Sequence, residues 1–521
     1  MARQLPDRPN LDQLKHQAKD LLRAAHAQDA AALARFRGLP AFAQRTDVDL
    51  ARAPLGLHDA QSVIAREHGS DSWNDLRERV EEATLEFAAA ADAFVAAATD
   101  ARPDRAERLL ALHPGIARAN LQTALVLGDA ETAERLLAER PSMAVERGGT
   151  RGWEPLHYVC HSCVGARLEL RETGLVSIAR RLIALGADPN LRFPWQHHDV
   201  HRPVLWGAVF VTRSLALART LLELGADPSD GVTLTLAASA GNIPALEMLR
   251  SHGADVNRAW ATDGSAPLYA ILQWSRTADG VRWLLAHGAD PDPVFAATGE
   301  TPLHAVAAGW DAALAQEFVK RGADPVRRRA DGRTPYAIAE LNGNREVAAW
   351  LADHEARTEV AAVDALVGAC MRKDAEGVAA IVNAHPDVRN EIGPEHYAAF
   401  YRAAERNDVA ALELMLGCGF DPNRPDESIG KTALHAAAME GQPDAVRVLL
   451  AHGASVEARD REFKATPLFW AAEGSRSSRS KRDHAAVGRL LLAAGSSVEW
   501  ESAGEPADSI GEIVEAWASS R

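Results

Sequence analysis

Thr301-Pro302-Leu303-His304-Ala305-Val306-Ala307-Ala308-Gly309, then Ala312 to Arg321, then Gly322-Ala323-Asp324-Pro325, is the stretch whose reading decides the fold. Thr301 is an N-cap residue, able to accept a backbone N–H, and Pro302 loses nothing at the first helical position because its N–H would be unpaired there. Leu303, Val306 and Ala307 fall at i, i+3 and i+4, one face of a short helix. A second helix follows over Ala312 to Arg321. Gly322 then enters the left-handed region and stops it, and Asp324-Pro325 turns the chain into an extended finger.

The same unit recurs outward in both directions. Gly-Ala-Asp stands at Gly186, Gly225, Gly253, Gly288 and Gly322, with relatives at Gly419, Gly453 and Gly495. Their spacings are 39, 28, 35 and 34 in the first run, then 34 and 42 in the second. They scatter around a period of about 33 residues. The opening motif returns as Thr432-Ala433-Leu434-His435, Thr466-Pro467-Leu468 and Thr334-Pro335-Tyr336, and in weaker form as Glu154-Pro155-Leu156-His157 and Ala266-Pro267-Leu268-Tyr269.

On these motifs the chain resembles the ankyrin-repeat family. The fold expected is a mainly α solenoid of about twelve helix–turn–helix units with finger loops, starting near Asp92, Ala119, Glu154, Arg202, Val232, Ala266, Thr301, Thr334, Asp364, Ala398, Thr432 and Thr466. Insertions are expected at Gly165–Leu175 and Ser475–Asp483, and a break or bend where the Gly-Ala-Asp mark is missing near 355–363. The domain plan is an N-terminal helical cap at 1–86, repeat blocks at 87–357 and 358–500, and a C-terminal cap or tail at 501–521 centred on Ile510 to Trp517. The cap expects three helices: Leu11, Leu14, Ala18, Leu21, Leu22 and Ala25 on one face behind Asn10 and Gln13, a second from Asp59, and a third marked by Trp73, Leu76 and Val80. This segment is similar to one that precedes many bacterial ankyrin arrays. With the Ala- and Arg-rich usage, it points to a bacterial source.

Composition limits the function. Of 521 residues, 47% are hydrophobic and 25% charged, ordinary values for a chain that buries a core. Lys plus Arg number 57 against 72 Asp plus Glu, a net charge of −15, which disfavours nucleic acid and anionic membranes as partners. Four cysteines, no secretory leader and no long uncharged apolar run suggest a cytoplasmic protein.

A repeat too small to bury its own apolar face needs its neighbours, so the Leu-Leu and Ala-Ala pairs (Leu109-Leu110, Leu136-Leu137, Ala307-Ala308, Ala437-Ala438, Ala471-Ala472) are scaffold. The resemblance implies that a protein partner docks on the concave face, made by finger tips and the outer ends of first helices. The two positions after each Ala-Ala pair are expected there, His161 and Val209-Phe210 among them. Large residues on this face, Val209, Phe210 and Trp274, with Trp195, His197, His198, Trp260 and Phe295 in fingers, are the expected anchors; the alternative is that repeat irregularities let these aromatics pack against neighbouring fingers. The basic run Arg327-Arg328-Arg329 and the insertion residues Arg476, Arg479, Lys481 and Arg482 read first as solvated loops; the alternative is an acidic partner, or for the insertion nucleic acid.

No phosphate loop, nucleophile elbow or His-Glu-x-x-His helix is present, so neither enzyme nor cofactor is expected. The alternative is a metal-binding or catalytic protein centred on residues 157–201. His157, Cys160, His161 and Cys163 approach zinc-ligand spacing, with His197, His198 and His201 following. Register argues against it: Cys160 falls on the buried small-residue position. In the resemblance, His157 is the signature histidine that hydrogen-bonds backbone and steadies the finger.

Overall fold

The computed structural model describes residues 5–6, 9–39, 42–53, 55–100, 102–164, 169–195, 198–259, 265–274, 277–354, 358–477 and 483–497. His197, Trp260, Arg479, Lys481, Arg482 and the expected cap at Ile510 to Trp517 lie outside the described residues, as do the side chains of Trp195, His198, Trp274 and Arg476. The chain divides into two compact units, Met1–His16, Glu67–Asp71 and Asp75–Phe295 forming one, and Gln17–Arg66, Ser72–Asn74 and Ala296–Arg521 the other.

In the first unit the helices come in pairs: Phe87–Thr99 with Pro103–Leu112, Leu121–Leu127 with Ala130–Glu139, Pro155–Cys160 with Glu169–Ala184, Val204–Phe210 with Leu215–Glu223, Thr233–Ser239 with Ile243–Ser251, and Pro267–Trp274 with Ala278–Ala286. The second unit repeats the plan from Pro302–Gly309 and Ala312–Lys320 through Pro335–Leu341 and Arg345–Ala352, Ala362–Met371 and Ala375–Ala384, Tyr397–Glu405 and Val409–Gly417, Ala433–Met439 and Pro443–Ala451, to Pro467–Ser477 and His484–Ala493. Among the described residues six pairs fall in each unit, in line with the about twelve repeats expected.

Local chemistry explains why each helix starts where it does. Asp29, Asn120, Ser214, Asn242 and Asp311 each accept a backbone N–H from the first turn of the helix they precede. Gly322, at φ +106°, ends its helix in the left-handed conformation, as read from the sequence. Leu303, Val306, Ala307, Leu314, Ala315 and Phe318 are then fully enclosed, and a buried Leu or Phe side chain contributes about 1.5–3 kcal/mol.

Neighbouring repeats are tied by a hydrogen-bond device that sequence reasoning missed. Asn190 Nδ2 donates to the Gly225 carbonyl at 3.0 Å and its Oδ1 accepts from Asp227 N at 2.7 Å. Asn257 does the same to Gly288 and Asp290, and Asn423 to Gly453 and Ser455. In each case one amide side chain satisfies a donor and an acceptor of the next glycine turn. The signal was legible as an Asn two residues after the Gly-Ala-Asp or Gly-Phe-Asp aspartate.

Two expectations need correction. The insertion at Gly165–Leu175 is in part helix, since Glu169–Ala184 runs to 16 residues. Ser475 to Ser477 likewise extend the helix Pro467–Ser477 rather than forming a loop. Gly368 of Ala362–Met371 sits so near Pro335–Leu341 that a Cβ there would fall against the Glu340 carbonyl oxygen, and the expected break or bend near 355–363 falls in part on 355–357, outside the described residues.

At the N-terminus the helices are Leu11–His26, Ala30–Phe36, Asp47–Ala51, Leu57–Glu67 and Trp73–Thr84. Asn10 caps the first through Asp12 N and Gln13 N, and Leu14, Ala18, Leu21 and Ala25 are its buried face. Glu82, fully buried, receives Arg108 Nε at 2.9 Å and lies 3.2 Å from Arg105 Nε. Glu78 is bridged by Arg102 at 2.7 Å. Two acidic residues on Trp73–Thr84 thus meet three arginines around the helix Pro103–Leu112.

Candidate interaction surface

The signature histidines show how a repeat is locked. His304 Nδ1 accepts the backbone N–H of Thr301 at 3.2 Å, and because a backbone N–H can only donate, the ring proton must sit on Nε2. Nε2–H then donates to the Arg333 carbonyl in the following finger at 3.3 Å. His435 repeats the arrangement with Thr432 N at 3.1 Å and the Ala465 carbonyl at 3.1 Å. Burial lowers the His304 pKa to about 4, the form the hydrogen bonds require.

His157 departs from this role. Glu154 stands where Thr301 and Thr432 stand in their repeats and makes no side-chain cap, and both ring nitrogens of His157 are buried without a hydrogen-bond partner. The ring packs instead against Phe193, 5.3 Å between centroids, and burial pushes its pKa down to about 4, with Arg147 adding to the effect. Here the expectation of a finger-steadying hydrogen bond fails.

The aromatic anchors expected on the free face are placed differently by the structure. His161 is completely buried, edge-on to Phe193 at 4.3 Å, with Nδ1 against the His157 carbonyl at 3.0 Å and burial lowering its pKa to about 3. Val209 is buried, and Phe210 stacks on Trp206 at 5.8 Å. Phe295 lies half-buried over Tyr269 at 5.1 Å. The structure brings together His161, Phe210, Trp153, Phe193 and Trp206 as packing, so His161 and Val209 do not line an open surface. Val126, Leu127 and Ser162 are buried as well, which removes the second repeat and most of the third from the expected row of free positions. What covers His161 is the antiparallel hairpin Arg192–Trp195 and His198–Pro203. It lays Phe193 across the end of Pro155–Cys160, a consequence that helix periodicity does not carry.

The basic finger is also more neutral than its sequence. Arg328 reaches Glu359 at 3.3 Å and donates to the Gly332 carbonyl at 2.7 Å. Arg329 pairs with Asp331 and with Glu300 at 3.3 Å. Arg327 is half-buried. Behind them Arg333 makes a bidentate pair with the buried Asp364, both N–O distances 2.7 Å, and His396 Nε2 lies 3.0 Å from Asp364 Oδ1. Burial alone would raise the Asp364 carboxyl; hydrogen bonds from His396 and Arg333 overcome it and hold it below the usual range.

The finger Ala458 to Ala465 is the contrast. Phe463 at its tip is 55% exposed, with Arg459, Arg461 and Lys464 exposed around it. Sequence reasoning passed over this finger, although an aromatic residue between charges at a turn was a visible signal.

The described cysteines weighed for metal have other surroundings. Cys160 is buried, which raises its thiol pKa strongly, and Cys163 Sγ faces the Ala97 carbonyl at 3.7 Å. Among the described residues no three His, Cys, Asp or Glu side chains are grouped to hold a metal ion, and no helix is long and apolar enough to cross a membrane.

Residues 268–364 and 400–499 match the family described as ankyrin repeats (3 copies). The chain therefore carries ankyrin repeats, as its helix pairs and fingers indicate. It is 34% identical over 94 residues to palmitoyltransferase Hip14 of Drosophila melanogaster, covering 18% of this chain and 13% of that protein. It is 39% identical over 75 residues to human ankyrin repeat and SOCS box protein 6, covering 14% of this chain and 18% of that one. The chain thus spans less than a fifth of the length of these curated relatives. Among solved structures it is similar to the human ASB11 ankyrin repeat domain, with 23% identity and a TM-score of 0.34 over 46% of this chain and 98% of that one. These relatives are animal proteins, so the bacterial source expected from composition finds no support in them.

Proposed function

We propose that this chain is a protein-binding scaffold or adaptor, acting in the cytoplasm through the finger tips and exposed ends of its first helices, with no catalysis of its own. The observation that supports it most is how the repeats use their polar groups. Caps, the histidines His304 and His435 and the Asn190-type amides are spent inside and between repeats, while the finger tip at Phe463 is exposed. A surface of that kind binds by shape and side-chain complementarity on a preformed frame. Four free cysteines fit a reducing compartment.

The test is cross-linking of the tagged full-length chain in its native cell, followed by mass spectrometry of captured proteins and mapping of the cross-linked residues. Reproducible protein partners cross-linked to the fingers are expected. A chain that captures nothing but turns over a small molecule would replace this reading with an enzymatic one.

A further inference from the structure

The finger Ala458 to Ala465 breaks two local rules at one place. In three other fingers the residue two before the Thr of the helix start is a glycine with positive φ: Gly299 at +70°, Gly332 at +84° and Gly430 at +76°. In this finger the position belongs to Lys464, held at φ +54°, a conformation unfavourable for a residue with a Cβ. The neighbouring Phe463 is left 55% exposed, although a solvated tip favours polar side chains. Arg213, Lys373 and Asn407 also have positive φ, but at Lys464 this conformation coincides with an exposed ring at the same turn, and departures of this kind concentrate at functional sites.

The surroundings define what the turn would hold. Asp460 faces inward and fixes the tip: its carboxylate accepts from Phe463 N at 2.5 Å, Ala465 N at 3.1 Å and Trp470 Nε1 at 2.9 Å. Phe463 leans edge-on toward the half-buried Trp470, 6.5 Å between centroids, forming an aromatic step. Arg459 and Arg461 donate only to backbone carbonyls, of Lys464 at 2.9 Å and Glu427 at 3.1 Å. Unlike Arg328, Arg329 and Arg333, they form no ion pair among the described residues, and neither does Lys464. Glu457 is taken up by Ser497, leaving Glu462 as the one exposed carboxylate on the finger against three cations.

We propose that this finger is the docking site for an acidic segment of a partner protein that sets a large apolar side chain on Phe463 and Trp470 while its carboxylates meet Arg459, Arg461 and Lys464. This rests on the scaffold reading and names the chemistry of the partner. Apolar contact supplies the anchor, and the unpaired cations select against neutral and basic segments.

A displayed library of random dodecapeptides, panned on the full-length chain, tests it. Enriched peptides should carry a large apolar residue flanked by Asp or Glu. A labelled peptide of that sequence should bind at least about tenfold more weakly to Phe463→Ala, with an unchanged melting temperature because the ring is exposed. It should weaken further with salt and in the double variant Arg459→Glu/Arg461→Glu. Lys464→Gly should melt higher yet bind less well. Enriched peptides without carboxylates, or binding indifferent to Phe463→Ala, would overturn this assignment while leaving the scaffold intact. So would self-association of the chain, or capture of a single-stranded oligonucleotide, that disappears in these variants. Panning that enriches nothing also overturns it, and the cross-linking map judges the scaffold separately.

Discussion

His304 and Arg333 stand in successive repeats, and the Nε2–H of the first meets the backbone carbonyl of the second at 3.3 Å while Nδ1 holds the N–H of Thr301. One neutral imidazole thus satisfies a helix start and the finger that follows it.

Replacing that ring with Ala leaves a buried N–H and carbonyl unmet, so His304→Ala should lower stability by about 2–4 kcal/mol. His157 makes neither bond, so His157→Leu should be neutral or stabilising. Thermal melting at pH 7 separates the two, and equal losses would refute the distinction.

The same burial gives acid sensitivity. In the unfolded chain a histidine gains its proton near pH 6.5, but in the folded chain His157 does so only at about 4 and His161 at about 3. Between those values the unfolded state binds more protons, so stability is full above about pH 6.5 and falls as pH drops toward 4. For His157 the loss is on the order of 3 kcal/mol. Urea midpoints at pH 7.5 and 4.5 should differ markedly, and the double variant His157→Leu/His161→Leu should narrow the gap.

Arg333 and Asp364 form a buried pair whose halves depend on each other. Asp364→Ala removes the buried bidentate partner of Arg333, leaving it the more exposed Asp331, and should cost about 3 kcal/mol, whereas the joint change Arg333→Leu/Asp364→Leu should cost less than the single one. A double-mutant cycle by chemical denaturation measures this coupling; additive losses would contradict it.

Close approach between repeats makes some helical glycines irreplaceable. A Cβ on Gly280 would sit 1.9 Å from the Ala238 carbonyl oxygen, whereas one on Gly309 would meet nothing within 4 Å. Gly280→Ala should therefore lose about 3 kcal/mol or more through backbone displacement, while Gly309→Ala should be neutral or gain up to about 1 kcal/mol. Melting curves of the two variants are the check.

The fold was legible because its information is short-range and repeated. Thr301 and Pro302 announce a helix start, Leu303 and Val306 its buried side, and Gly322 its end, and the same marks return at Thr432 and Gly453. The candidate site was less legible. Val209 and Phe210 occupy positions that are solvent-facing in a regular repeat, but the hairpin before them carries Phe193 against His161 and Trp206. Arg328 and Arg329 read as free charge until Glu359, Glu300 and Asp331 are seen beside them. Phe463 carried a visible signal, an aromatic residue between charges at a turn, but whether the ring stays uncovered depends on what neighbouring repeats place beside it.

The amino-acid order alone determined that this chain is built from helix pairs of one design, because capping, periodicity and left-handed turns act over a few residues. Only the tertiary structure decided which rings are core, which charges are neutralised and which finger remains open. Exposure and ion pairing depend on what a neighbouring repeat places within a few ångströms, across some thirty residues of chain.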